Sequence, residues 1–301
     1  MQSFYSHGKL LLTAEYAVLK GAKALAIPCQ KGQLLNYTPQ NTKLLFWESF
    51  DLHKNCWFSA SFQLPSFAIE KSSDLAMTQK LSAILISATK QNKQFLAKHG
   101  GKVQTYLEFD RNWGLGSSSS LISNIALWAQ VNPYLLLEQS FGGSGYDLAC
   151  AQSDLPLFYT RNNLHPIVES APFDPPFKEY LFFVYLNQKQ SSLAAINAFD
   201  WALIDQKIIS KINNITEKIM ECTAQDAFNT LLLEHEKSIG AMLKLTPVQD
   251  LLFQDFNGAI KSLGAWGGDF ILASGNEETP NYFKNKGYET VVPYSEMIFK
   301  P

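Results

Sequence analysis

Apolar and polar residues alternate from residue 103 to residue 109, and this pattern predicts a strand with one buried face. A loop of glycines and serines follows at residues 114–120. Beyond the loop, apolar residues recur at helical spacing over residues 121–129, and the serines are candidates for the helix N-cap. The order is therefore strand, glycine-serine loop, helix.

A loop of this kind presents free backbone N–H groups and the positive end of a helix dipole. Phosphate is the usual occupant of such a site, and glycines let the backbone approach it closely. The loop is not a Walker A sequence, because no Gly-Lys-Ser/Thr follows at the required spacing. A plain capped loop is the alternative interpretation.

Periodicity and turn residues predict the remaining elements. The predicted strands are 10–12, 44–47, 56–58, 180–186 and 288–292, and the predicted helices or helical turns are 15–19, 74–98, 133–139, 148–152, 192–221, 223–243, 247–262 and 281–286. Prolines crowd residues 165–180, which makes this stretch the best candidate for a domain boundary. Periodicity alone gives a mixed α/β protein in two halves.

Composition excludes several function classes. Of the 301 residues, 46% are hydrophobic and 17% charged, enough for a substantial core, and the net charge of −2 gives no basic field for nucleic acid or an anionic membrane. No apolar run is long enough to span a bilayer and no signal-peptide core is present, so we expect a cytoplasmic protein. The 4 cysteines and 5 histidines are dispersed, which argues against zinc.

The segment Gly114-Leu115-Gly116-Ser117-Ser118 resembles the phosphate loop of the GHMP small-molecule kinases, which act on galactose, homoserine, mevalonate and phosphomevalonate. Two features depart from that family's pattern. Asp110 stands at the usual proline position, and Ser119-Ser120 stand where alanines are usual.

A second segment, Gly8-Lys9-Leu10 followed by Glu15–Leu19, is similar to the first motif of mevalonate and phosphomevalonate kinases. The resemblance implies that Lys9 faces the active site, whereas by itself Lys9 reads as a solvated charge at a strand edge. His7 replaces the family's proline, and Ala14 replaces the glycine before the glutamate.

Three glycines and a lone carboxylate form the segment Gly142-Gly143-Ser144-Gly145-Tyr146-Asp147. It resembles the Gly-Ser-Gly-x-Asp segment of phosphomevalonate kinases, which implies a catalytic Asp147; the alternative is an aspartate that caps the following helix. Leu136 occupies the place of the magnesium-binding glutamate of mevalonate kinases. Glu138 is the nearest acid, and its metal role is left open.

Two later segments complete the resemblance. Residues 187–192 resemble a substrate loop, with Gln190 in place of an arginine. Residues 261–269 resemble the Gly-Ala-Gly-Gly-Gly-Asp motif, with Trp266 at one glycine, although alone they read as a helix C-cap and turn.

The resemblance implies an α/β GHMP kinase fold. It comprises a ribosomal protein S5 domain 2-like N-terminal domain at residues 1–170 and a ferredoxin-like C-terminal domain at residues 171–301, with ATP and substrate between these domains. It also implies an ATP-dependent kinase with ATP and Mg²⁺ as cofactors. The implied acceptor is the hydroxyl or phosphate of a small molecule, and among the family's substrates the motifs favour mevalonate or phosphomevalonate. The sequence leaves a homodimer open.

Each site residue has an implied role. The amides of Gly114, Leu115, Gly116, Ser117, Ser118 and Ser119 hold the triphosphate, with Gly267 and Gly268 beside it; the Ser118 hydroxyl reaches Mg²⁺; Asp147 is the general base; Lys9 stabilises charge; and Lys9, Glu15, Ser144, Lys189 and Ser191 contact the acceptor. The alternatives are a non-catalytic nucleotide-binding homologue, a GHMP enzyme of other chemistry such as a decarboxylase, and a kinase for a sugar or for an amino alcohol such as homoserine.

Overall fold

The computed structural model describes residues 1–140, 142–188, 199, 201–264, 266 and 269–300, and it divides into two compact units. The first unit contains Met1–Gly8, Lys31–Arg111 and Leu115–Gln152. The second contains Lys9–Gln30, Asn112–Gly114 and Ser153–Pro301. The predicted functional boundary at residue 170 stays a prediction.

The strands are β1 Gln2–Leu11, β2 Ala24–Pro39, β3 Leu44–Phe50, β4 Cys56–Gln63, β5 Ala68–Ser72, β6 Gly101–Leu107, β7 Leu157–Thr160, β8 Ile167–Ser170, β9 Leu181–Tyr185, β10 Ala259–Ser262, β11 Phe270–Ser274 and β12 Val291–Pro293. The α-helices are α1 Leu75–Gln91, α2 Ser117–Ala129, α3 Pro133–Glu138, α4 Tyr146–Ala151, α5 Gln206–Glu221, α6 Gln225–Leu243, α7 Val248–Leu252, α8 Thr279–Asn285 and α9 Tyr294–Met297. Short 3₁₀ turns span Ala17–Lys20, Lys178–Tyr180 and Trp201–Leu203.

The first unit is a sheet covered by helices. Its strands run in the order β5-β4-β3-β6-β2, with β3 parallel to β6 and the other neighbours antiparallel. The core contains Trp47 and Phe62 from the sheet and Leu85 and Ile125 from α1 and α2. Asp74 caps α1 by accepting a hydrogen bond from the N–H of Met77 at 3.0 Å.

The second unit contains a four-stranded antiparallel sheet in the order β10-β11-β9-β12. Separately, the N-terminal part of β2 pairs with β7, and β7 pairs with β8. Val184 and Ile271 of the four-stranded sheet share a core with Phe253 and Phe283. Helix α5 is amphipathic, with buried isoleucines at 212, 215 and 219.

The strand, glycine-serine loop and helix predicted at the phosphate loop are confirmed as β6, the loop and α2. Along β6 the residues alternate between buried and half-buried, as the sequence pattern predicted. The mixed α/β class is also confirmed.

The predicted helix at residues 247–262 is wrong over most of its length. Only Val248–Leu252 is helical, and Ala259–Ser262 forms β10, which pairs with β11. Its four residues are all buried, although Lys261 and Ser262 are polar, and a strand this short shows no period that separates it from a continuing helix. The segment that opens the third motif is therefore a strand, and the helix C-cap interpretation is wrong.

Two other predicted helices need shorter bounds. The helix predicted at 74–98 ends at Gln91, and the one predicted at 192–221 begins, within the described residues, at Gln206. Among the helices that the structure describes, none is both long enough and apolar enough to cross a membrane.

Candidate active site

The loop before α2 is built on glycines in the left-handed region. Gly114 has a φ of 66° and Gly116 a φ of 86°. Gly116 is the N-cap of α2, so the serines are not N-caps as predicted but lie in the first turn. Because Gly116 has no side chain, it contributes no capping hydrogen bond, and the amides at this helix end are oriented as for an anion.

The serines of the loop stabilise the turn in different ways. The hydroxyl of Ser119 donates to the Gly116 carbonyl at 2.9 Å, and that of Ser120 donates to Gln33 Oε1 at 2.9 Å. Ser118 is exposed. A hydroxyl at this position is accessible to solvent and to a ligand, which is compatible with its predicted contact to a metal.

Buried polar contacts fix α2 within the first unit. Ser6 Oγ donates to Asn124 Oδ1 at 2.9 Å and is hydrogen-bonded to Ser123 Oγ at 2.8 Å, and Asn124 Nδ2 donates to the Gln33 carbonyl at 2.8 Å. Sequence periodicity did not reveal these residues, because it registers apolar positions. They hold the helix that carries the phosphate loop.

Aromatic and acidic side chains fix the chain just before the loop. The guanidinium carbon of Arg111 lies 3.5 Å from the centroid of the Trp57 ring, a cation–π contact. Glu108 Oε2 accepts hydrogen bonds from Tyr5 Oη at 2.6 Å and from the N–H of Gly32 at 3.0 Å. Both contacts hold the short segment between the end of β6 and the loop.

The second glycine-rich segment also uses left-handed backbone. Gly142, Gly143 and Gly145 have φ values of 66°, 121° and 88°. Gly145 is the N-cap of α4, so the alternative in which Asp147 caps this helix is wrong; Asp147 lies in its first turn and is half-buried. Ser144, predicted to contact the acceptor, is half-buried beside Gly145.

The position of the family's magnesium-binding glutamate lies in the core, because Leu136 is 0% exposed. Glu138 ends α3 and is exposed. Within the described part of the chain, no group of three His, Cys, Asp or Glu side chains is arranged to hold a metal. Mg²⁺ in kinases takes few protein ligands and relies on nucleotide phosphates, so Ser118 fits it as a minor ligand.

A narrow cleft in the second unit brings parts of three motifs together. Lys9, Trp113, Gly114, Gly264 and Asp269 line it, and its volume of about 10 Å³ suits a single water molecule. The Asp269 carboxylate packs against the Cα of Gly114, where a β-carbon would overlap it. The lysine of the first motif, the first glycine of the phosphate loop and the acid of the third motif therefore meet.

The backbone of Asp269 is firmly held. Its N–H donates to the Gln188 carbonyl at 2.7 Å, and its own carbonyl accepts from the N–H of Leu186 at 2.8 Å. Asp269 has a φ of 54° and is 8% exposed. A short polar residue tolerates this left-handed conformation.

Four ionisable side chains of the second unit that contact one another are each at most 1% exposed: Glu15, His235, Glu236 and Lys261. The Lys261 ammonium donates to Glu15 Oε1 and lies 3.9 Å from Glu236 Oε2. The N–H and hydroxyl of Ser262 donate to Glu236 Oε1 at 3.1 and 2.6 Å. We name these four residues the buried charge cluster.

Burial shifts the protonation of this cluster. It raises the pKa of Glu15 above its ordinary value despite the Lys261 ammonium, and it raises the pKa of Glu236 to about 7. Burial and then Lys261 hold the pKa of His235 well below its usual value. His235 is therefore neutral, and its Nε2 accepts a hydrogen bond from the N–H of Ala14 at 2.9 Å.

Of the other predicted site residues, Leu115 is buried and Ser117 half-buried at the loop. Lys189, Ser191, Gly267 and Gly268 lie outside the described residues. Sequence reasoning assigned no role to His235, Glu236, Lys261 or Asp269. Only Lys261 and Asp269 carried a signal, because both lie inside the third motif.

In sequence comparisons, no family model and no curated protein matches this chain. Solved structures do. Phosphomevalonate kinase of Streptococcus pneumoniae, in complex with phosphomevalonate and AMPPNP, aligns with a TM-score of 0.70 at 16% identity over 95% of this chain and 96% of that chain. Mevalonate kinase of Methanococcus jannaschii aligns with a TM-score of 0.65 at 17% identity over 96% of each chain. Galactokinase of Lactococcus lactis, complexed with galactose, aligns with a TM-score of 0.69 at 14% identity over 99% and 94%. The chain has the GHMP kinase fold.

Two residues that depart from the GHMP motifs, Ala14 and Trp266, are buried in the structure. Ala14, where the family has glycine, is fully buried with a φ of 67°. This backbone region disfavours a β-carbon by about 1–2 kcal/mol, so surrounding contacts must hold it. Trp266, at a glycine position of the third motif, is 7% exposed.

We expect Gly114→Ala to destabilise the protein more than Gly264→Ala. The two glycines have matching φ values of 66° and 68°, and each alanine loses about 1–2 kcal/mol from backbone strain. At Gly114 the new β-carbon also meets the Asp269 carboxylate, whereas no atom of the described residues lies within 4 Å of a β-carbon at Gly264. Urea unfolding of the two variants measures the difference.

A second substitution tests the source of that difference. Asp269→Gly removes the carboxylate and suits the φ of 54°. In the Asp269→Gly background, Gly114→Ala and Gly264→Ala should cost about the same. Equal losses already in the parent background would show that the Asp269 contact is absent.

We expect Glu236→Gln to remove a pH dependence of stability. Glu236 binds its proton more tightly in the folded protein, so its contribution is complete below about pH 4.5 and lost as the pH rises through about 7. Relative to the parent, the variant should gain about 3 kcal/mol in the free energy of unfolding between pH 4.5 and pH 8.

Urea unfolding across this pH range is the measurement. Glu234→Gln, an exposed position on the same helix, is the matched control, and its difference from the parent should stay constant within about 0.5 kcal/mol. A constant difference for Glu236→Gln as well would show that Glu236 does not carry a raised pKa.

Proposed function

We propose that this protein is an ATP-dependent small-molecule kinase that transfers the γ-phosphoryl group to a hydroxyl or phosphate of a small metabolite. The observation that carries the proposal is the cleft where Lys9, Gly114 and Asp269 meet. The GHMP kinase fold and the helix N-terminus at Gly116 support it.

Nucleotide binding rests on the loop before α2. The amides of residues 114–119 would hold the triphosphate, since the positive end of the helix favours an anion and the glycines leave room for it. Mg²⁺, when bound, would neutralise phosphate charge, with Ser118 as its protein ligand. Gly267 and Gly268 lie outside the described residues, and we propose that they lie beside the phosphates.

Phosphoryl transfer depends more on positioning and charge neutralisation than on covalent chemistry. Asp147 would accept the proton of the acceptor hydroxyl as that oxygen attacks the γ-phosphorus and the bond to ADP breaks. Lys9 would stabilise negative charge developing on the transferred group. Ser144, Lys189 and Ser191 are proposed acceptor contacts.

Glu15 was also predicted to contact the acceptor. Its side chain is 1% exposed and paired with Lys261. We therefore propose that Glu15 acts on the acceptor site only through the backbone that it holds.

A mevalonate-pathway acceptor is favoured, because the first and third motifs look closer to those kinases than to sugar kinases. Between mevalonate and phosphomevalonate as the acceptor, the observations point in both directions. A phosphorylated acceptor favours guanidinium forks, yet Arg111 stacks on Trp57 and Arg161 donates to the Leu19 carbonyl at 3.3 Å. Lysines would have to serve as point charges instead.

A catalytically inactive nucleotide-binding protein is the second candidate. The burial of Leu136 at the position of the magnesium-binding glutamate favours it, because a buried leucine offers no oxygen to a metal ion. Nucleotide binding without turnover for any acceptor would select this candidate.

We expect kcat/KM to be highest for mevalonate or phosphomevalonate in a panel that also contains homoserine and galactose. The reason is the likeness of the motifs around Lys9 and Asp147. ADP release measured at saturating Mg-ATP decides the order. A clear preference for homoserine or galactose would contradict the pathway assignment.

We expect Asp147→Asn to lower kcat by roughly 10²–10⁴ while leaving the affinity for an ATP analogue unchanged, as for a lost general base. Steady-state kinetics and calorimetry measure the two effects. Asp154→Asn, the same change at an exposed aspartate, is the control and should keep the parent kcat. A parent-like kcat for Asp147→Asn would remove Asp147 from the chemistry.

A further inference from the structure

The buried charge cluster joins three segments of the second unit. Glu15 lies in the turn after β1, His235 and Glu236 are on α6, and Lys261 is in β10. Each of the four side chains is at most 1% exposed. Ion pairs as fully buried as these are weak evidence for stability, because apolar residues of similar volume often serve as well.

The contacts of the cluster are directional. The Lys261 ammonium donates to Glu15 Oε1 and, at 2.8 Å, to the Ser262 carbonyl. His235 Nε2 lies 3.7 Å from Glu15 Oε2 and accepts from the N–H of Ala14. Among the described residues, Glu15 Oε2, Glu236 Oε2 and His235 Nδ1 have no hydrogen-bond partner. These atoms do not stabilise the fold, because burying each of them without a hydrogen-bond partner costs free energy.

The backbone held by these contacts is strained. Ala14 and Tyr16 have φ values of 67° and 62°, which are unfavourable for residues with a β-carbon. Thr13 adds a further anchor, since its hydroxyl oxygen accepts from Thr216 Oγ1 at 2.9 Å and from the N–H of Leu25 at 2.8 Å. Strained backbone persists only where surrounding contacts hold it in that conformation.

The segments that the cluster holds are those that line the cleft. Lys9 lies on β1, which leads into the strained turn, and Gly264 lies two residues beyond the end of β10. Asp269 begins the return of the chain into β11. Shifts of this turn against β10 would change the spacing of Lys9 and Asp269.

We propose that Glu15 and Lys261, supported by His235 and Glu236, are positioning residues that set the spacing of the two segments carrying Lys9 and Asp269. The catalytic part of this inference rests on the proposed kinase function. Its structural part, the ordering of both segments, does not.

The test compares Glu15→Gln, Lys261→Met and the double variant. Each single change leaves a buried charge without its partner and should lower the melting temperature clearly. The double variant removes both charges, so its melting temperature should return toward that of the parent. If the pair positions the cleft, kcat should nevertheless stay roughly 10-fold or more below the parent value, with KM for ATP changed less.

Hydrogen exchange followed by mass spectrometry supplies a readout that needs no activity. In the double variant, exchange at residues 9–14 and 259–264 should rise together, while the sheet of the first unit keeps its parent protection. Tyr294→Phe is the matched control, since it removes a buried hydrogen bond to the Phe173 carbonyl elsewhere in the second unit. It should keep the parent kcat and the parent exchange in both segments.

Each outcome decides one claim. A double variant with parent exchange in both segments, or with parent kcat, overturns the positioning inference. A parent protein that phosphorylates no acceptor overturns the proposed function instead, and exchange then decides the positioning inference by itself.

Discussion

A lysine and two glutamates buried away from water impose the strictest constraint in the second unit. Removing a charge from water is very costly unless an opposite charge and hydrogen bonds replace the solvent. The Lys261 ammonium meets this condition by donating to Glu15, with Glu236 Oε2 3.9 Å away, and these contacts hold the turn after β1 and helix α6 against β10. A displaced segment would leave a charge unpaired, so the arrangement has little freedom.

This constraint explains how non-glycine residues hold left-handed backbone at Ala14 and Tyr16. The strain at each is small beside the cost of separating the buried pair. The opposite solution is used at the phosphate loop and at the segment before Asp147, where glycines adopt positive φ without strain. Strain therefore collects where burial enforces geometry, and glycine is used at the two loops for which we propose ligand binding.

Sequence alone predicted what depends on local pattern. The strand before Gly114, the helix after it and the glycines before Asp147 follow from period and composition, and the motif resemblance led to the correct fold. It did not predict the partners of Lys261, because Glu15 lies 246 residues away in the chain and Glu236 lies on a different element, helix α6. A strand as short as β10, buried throughout, has no period that separates it from a helix.

The N-cap of α2 shows a further limit of prediction from local sequence preferences. Serine is among the preferred capping residues, yet Gly116 takes that place and Ser119 turns its hydroxyl back to the Gly116 carbonyl. A capping serine would occupy the helix N–H groups that a phosphate requires. The general preference therefore gives way at this loop, and the same holds at Gly145 before Asp147. Two helices begin on left-handed glycines, each without a side-chain cap, and this sacrifice of helix stability is consistent with the ligand binding that we propose.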